Sequence, residues 1–107
     1  MSRGALVTIA PQGACGKPRP ALVVQSDPFA GHPSVTILPV TSELRETPLF
    51  RVEIKTTAEN GLEHLSQVMI DKIQTVPRAK VGDLFGRVDD KTMLAVNRAF
   101  AIWLGFA

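Results

Sequence analysis

The chain has 107 residues, 45% of them hydrophobic and 21% charged, with a formal net charge of +2. That length and balance predict one domain over residues 1–107 with a packed core, and they exclude a disordered chain. A lone cysteine, Cys15, excludes an internal disulfide, two histidines and one cysteine are a poor metal inventory, and no apolar run nears the ~20 residues of a membrane span.

In chain order, "ALVTIA" (5–10) is rich in strand-forming residues and closes at Pro11. A loop follows in which Gly13 and Gly16 permit tight backbone paths while Pro18 and Pro20 restrict them. "ALVVQS" (21–26) reads as a largely buried strand, "DPFAGHP" as a turn, and "SVTILPV" (34–40) as a strand stopped or bent at Pro39. "FRVEIK" (50–55) alternates apolar and polar residues, as a half-exposed antiparallel strand does. "SQVMIDKIQTV" (66–76) predicts one bent strand or two short ones, "PRAK" a helical turn, and "VGDLFGRV" (81–88) a further strand. Short strands with frequent turns favour a small barrel or sandwich. The opening "MSRGALVTIAPQGA" has no apolar stretch of signal-peptide length, so a cytoplasmic protein is expected.

"DDKTMLAVNRAFAIWLG" differs: it opens on a candidate N-cap, Asp89 or Asp90, and closes at Gly105. At about 100° per residue, Met93, Val96, Phe100 and Trp103 share a face that Ala95, Ala99, Ile102 and Leu104 widen. An arc so wide predicts packing on the sheet plus a second contact, with a partner copy or deeper in its own core.

Three stretches carry candidate chemistry. In "GKPRPALVVQS", Pro20 holds Arg19 extended at a strand entrance and Pro18 does the same to Lys17. A planar, permanently charged guanidinium fixed there suits bidentate capture of a phosphate, or is a solvated arginine on a stiff loop. In "PVTSE", the Thr41 and Ser42 hydroxyls cap a turn or donate to an anion. Antiparallel pairing of the strands at Ala21 and Pro39 would bring Arg19 and Thr41 to one edge. "SQVMIDKIQTV" adds Gln67, Asp71 and Gln74, as surface positions or ligand contacts. The middle, 43–66, is mildly acidic between two mildly basic ends, which permits a polyanion site built from both. No nucleophile elbow, phosphate-binding glycine loop or metal-ligand spacing occurs.

Together, "RGALVTIAPQG…GKPRPALVVQSD", "TILPVTSEL", "SQVMIDKIQTVPR" and "GRVDDKTMLAVNRAFAIWLGF" resemble the MazF/PemK (Kid) toxins of type II toxin–antitoxin systems over nearly the whole chain. The resemblance implies a mainly β fold with a C-terminal helix, an SH3-like, partly open β-barrel, and a homodimer. It implies a metal-independent endoribonuclease without cofactor, cleaving single-stranded RNA such as mRNA to 2′,3′-cyclic phosphate and 5′-OH ends. It also implies an antitoxin whose disordered tail blocks the RNA site. Arg19 and Thr41 match the family's catalytic arginine and threonine, while Lys17, Ser42, Gln67, Asp71 and Gln74 are the expected RNA contacts. Where some members carry an arginine and an aspartate as acid and base, this chain has Gln74 and Pro77, leaving the general base unassigned. With no tyrosine and one tryptophan expected deep in the helix, base stacking falls to Phe29, Phe50 or arginine planes. Sequence preference is expected to depend on the loops around 11–18, 27–33 and 56–64. Two other readings are a non-catalytic gyrase-poison-like toxin acting through the C-terminal helix, and an inactive SH3-like module that binds an antitoxin.

Overall fold

In the computed structural model, which describes residues 1–10 and 16–106, the strand-forming runs become seven strands and the long amphipathic run one helix. The strands are β1 (Ala5–Ile9), β2 (Arg19–Val23), β3 (Ser34–Thr41), β4 (Arg51–Ile54), β5 (Ser66–Met69), β6 (Gln74–Pro77) and β7 (Val81–Arg87), followed by α1 (Asp90–Leu104). Pro11, Gly13 and Cys15 of the expected loop lie outside the described residues. "SQVMIDKIQTV" forms two short strands split by a 3-10 turn at Ile70–Lys72, and "RAK" is a further 3-10 turn, Arg78–Lys80.

Every pairing is antiparallel, in the order β4-β5-β3-β2-β1-β7, with β6 also pairing β3. The outer strands β4 and β7 do not pair, so the barrel is partly open. Shifts of register between β1 and β7, at Leu6/Val7 and Val7/Ile9, curl that edge. The loop after β4 folds over the gap and is organised by the buried Asn60. Its Oδ1 accepts from the backbone N–H of Thr57 at 3.1 Å and Leu62 at 3.0 Å, and its Nδ2 donates to the Lys55 carbonyl at 2.8 Å. The Glu59 carbonyl accepts from the Arg87 N–H at 2.9 Å, tying this loop to β7.

The sheet carries apolar residues on both faces, so strict inward-outward alternation is lost in its central strands. Leu6, Leu22, Leu38, Val40 and Val68 face α1, whose Met93, Val96 and Ala99 complete that core. The alternate positions Ala5, Val7, Ala21, Val23, Val35 and Ile37 form a second, smaller core on the other face. Each fully buried leucine contributes about 1.5–3 kcal/mol of transfer free energy.

Of the two expectations at Pro39, a stop is not what the structure shows, for β3 runs unbroken through it. The Val24 N–H donates to the Thr36 carbonyl at 3.1 Å, which makes Ala21↔Pro39, three register steps along, a non-hydrogen-bonded pair. The proline nitrogen therefore points away from β2. On that side β3 changes partner, from β6, which it leaves at Ile37, to β5, which it joins at Val40. A missing N–H at the hand-over removes no ladder bond, so the strand runs on to Thr41.

Asp89 caps α1, accepting the Thr92 N–H at 2.8 Å, and Gly105 at φ 82° ends it, a conformation that suits glycine. The expected apolar face is only partly covered. Phe100 is half-buried, but Trp103 is 49% exposed, its ring tilted against Phe50 with centroids 5.8 Å apart. Leu94, Ile102, Leu104 and Phe106 are also exposed, so the second contact predicted for this helix is not made among the described residues. No helix among the described residues is long and apolar enough to cross a membrane.

Candidate functional site

The β1–β2 register sets Ile9 opposite Arg19, and the β3–β5–β4 registers set Thr41 opposite Gln67 and Gln67 opposite Glu53. The β2–β3 register, Ala21↔Pro39, carried one step further along the same face, sets Arg19 opposite Thr41. Pro20 has no N–H to donate to Val40, which is why the ladder ends just short of that pair. Ile9, Arg19, Thr41, Gln67 and Glu53 thus form one cross-strand rank at the rim of the sheet, on the face of the smaller core. Directly opposed residues place their Cβ atoms about 5 Å apart, within reach of one phosphate group.

Arg19 is exposed, held extended by the strand and the flanking prolines. The guanidinium groups of Arg3, Arg45, Arg51, Arg78 and Arg87 all bond within the chain. Among the described residues, those of Arg19 and of Arg98 on α1 have no such partner, and only Arg19 stands on the rank. Thr41 is half-buried, and its Oγ1 accepts the Glu43 N–H at 3.0 Å. Its hydroxyl therefore serves the turn, one of the two roles expected of it, yet an accepting oxygen leaves its own proton free to donate outward. Ser42 and Lys17 are exposed beside these two residues in the chain.

Gln67 is not a surface residue: it is 8% exposed. Its Oε1 accepts from the Arg45 N–H and from Arg51 Nη1, each at 3.0 Å, and its Nε2 donates to the Arg45 carbonyl at 3.0 Å. Arg51 Nη1 also donates to the Glu43 carbonyl at 2.9 Å. Arg51, Glu43 and Arg45 were not singled out from the sequence. The only trace of Arg51 there is the polar phase of "FRVEIK", which gives a face but not a partner.

The structure does not bring Asp71 and Gln74 into the rank. Asp71 sits in the turn between β5 and β6, 3.6 Å from Lys72 Nζ. Gln74 is exposed opposite Ile37, four residues or about 13 Å down β3 from Thr41. Residues 16–18 lead into β2 at Arg19 and segment 56–64 joins β4 to β5 at the end where Thr41 lies, while residues 11–15 of the first expected loop lie outside the described residues. Segment 27–33, by contrast, links β2 to β3 at the far end, where the Arg78 guanidinium bonds the carbonyls of Ala30 and His32.

Residues 2–104 match the family described as PemK-like, MazF-like toxin of type II toxin–antitoxin system. The chain is 42% identical over 108 residues to a probable endoribonuclease MazF of Mycolicibacterium smegmatis, covering 100% of this chain and 99% of that protein. An endoribonuclease solved in complex with its cognate antitoxin, from a mycobacterial species, superposes with a TM-score of 0.84 at 26% identity, over 100% of this chain and 97% of that one. The Mycobacterium tuberculosis toxin MazF-mt6 superposes with a TM-score of 0.77 at 27% identity, over 94% and 96% of the two chains.

Proposed function

The chain belongs to the PemK-like, MazF-like toxins of type II toxin–antitoxin systems, a family of endoribonucleases, and we propose that it cleaves single-stranded RNA at the Arg19–Thr41 rim. What supports this reading is the β2–β3 register, which when extended from Ala21↔Pro39 sets a guanidinium engaged by no described residue opposite a hydroxyl whose proton is free. The RNA's own 2′-OH attacks the adjacent phosphorus, the bond to the 5′ oxygen breaks, and the products are a 2′,3′-cyclic phosphate and a 5′-OH. Because the nucleophile belongs to the substrate, the protein's task is to hold the phosphodiester in line and to stabilise charge growing on its oxygens. Arg19 supplies the charge and Thr41 a hydrogen bond, while Lys17 and Ser42 hold the flanking backbone. This chemistry calls for no metal and no cofactor.

The same reading includes a homodimer and a cognate antitoxin. Its support is the uncovered apolar end of α1, around Ile102, Leu104 and Phe106, and the antitoxin found with the related mycobacterial endoribonuclease.

The test is cleavage of an end-labelled single-stranded RNA by the purified chain in EDTA, beside the same RNA carrying a 2′-O-methyl group at the cut site. Cleavage that persists in chelator, stops on methylation and ends in cyclic phosphate supports the proposal. Full activity of Arg19→Ala, folded and of unchanged oligomeric state, would overturn the assignment of Arg19.

A further inference from the structure

We propose that Arg51 and Gln67 are positioning residues, which act by aiming the Thr41 hydroxyl and do not themselves touch RNA; the proposal rests on the nuclease reading above. The bonds form a continuous relay. Arg51 Nη1 donates to the Glu43 carbonyl at 2.9 Å, and the Glu43 N–H donates to Thr41 Oγ1 at 3.0 Å. Fixing Glu43 at its carbonyl fixes the turn that presents its N–H, and that N–H occupies the acceptor side of the Thr41 oxygen. The hydroxyl proton is left free to donate away from the turn.

Gln67 holds the second anchor of the same turn. Its amide binds both the N–H and the carbonyl of Arg45, and its oxygen takes Arg51 Nη1 as well. Two donors converging on Oε1 leave no ambiguity about which end of the amide is oxygen. With the oxygen doubly occupied and the side chain buried, Gln67 has little left to offer a nucleotide. It is nonetheless the direct cross-strand neighbour of Thr41, so the clamp stands beside the group it steadies. Arg51 contributes in the same way: one nitrogen bridges the turn to Gln67.

Positioning of this kind is lost as rate, since a displacement of about 1 Å can cost on the order of 100-fold. Single-turnover kinetics with an RNA oligonucleotide test it, with affinity read separately on a non-cleavable 2′-deoxy analogue. Arg51→Met is expected to lower the cleavage rate by about 10- to 100-fold, with analogue affinity within about threefold of the parent. In a Thr41→Val background, Arg51→Met is expected to have little further effect, because the group it aims is gone. Arg51→Lys, which keeps a donor but not the fork, is expected to fall between, and supplies the reading if Arg51→Met fails to fold. An equal loss of rate in both backgrounds, or lost affinity with an intact rate, would overturn the relay. If the parent chain does not cleave RNA at all, or Thr41→Val cleaves as well as the parent, the nuclease reading fails instead.

Discussion

Gly86 lies against the main chain of Asn60 so closely that a Cβ on it would stand 2.2 Å from the Asn60 carbonyl oxygen and 2.4 Å from its carbonyl carbon. Both obstacles are backbone, in a loop already tied by the Asn60 amide, so neither can swing aside. Gly86→Ala is expected to destabilise the fold by about 1–3 kcal/mol, as overpacking does. Thermal unfolding checks this; a Tm equal to the parent's would mean the loop yields freely.

Much of this architecture was legible in the sequence because strand-forming runs are set off by turn residues and the helix has a period near 3.6. Those signals located the strands and helix, and the Asp89 and Gly105 caps closed the last element as predicted. Pairing was a different matter. That β3 serves β6 with one half and β5 with the other depends on three-dimensional closure, and so the harmlessness of Pro39 was hidden. Gln67 was misread in a related way. A polar residue beside Val68 counts as outward-facing, and nothing local tells that residues 43–45 fold back over it. Trp103 shows the opposite error: its apolar character predicted depth, whereas the helix end runs past the sheet and leaves it half exposed.

If Thr41 donates a hydrogen bond to the scissile phosphate, the hydroxyl matters more than the methyl. Thr41→Ser is expected to cleave RNA within about tenfold of the parent, and Thr41→Val to lose about 100- to 1,000-fold, the scale set by removing one preorganised donor. Rates on one oligonucleotide decide it; equal rates for the two variants would count against the donor role.

Binding through phosphate contacts is linked to salt. For single strands the slope of log K against log salt is about −0.7 per phosphate neutralised, so Arg19→Ala is expected to make it shallower by about 0.7. Titration of a non-cleavable 2′-deoxy strand at several ionic strengths measures this. An unchanged slope would separate Arg19 from phosphate binding.

Hydrogen bonds from Thr92, through its side chain and then its backbone N–H, hold the Asp89 carboxyl below the ordinary value of 3.8. A folded-state pKa lowered in this way means the cap's ionic contribution is fully present above pH 3.8 and is lost as pH falls through the folded value. Asp89→Asn keeps an acceptor for the Thr92 N–H but no titrating charge. Its stability is expected to fall less than the parent's between neutral pH and strong acid, as followed by helical circular dichroism. Identical acid profiles would remove Asp89 from the linkage.

The hand-over of β3 between two neighbours also constrains how this chain can vary in length. Thr41 reaches the rim only because it lies an even number of positions along β3 from Ile37 and Val35, which fill the smaller core. One residue inserted between them would rotate the hydroxyl towards the helix side and turn an aliphatic side chain out to water. Parity of spacing, as much as the identity of any side chain, is therefore what a silenced descendant of this protein could lose first.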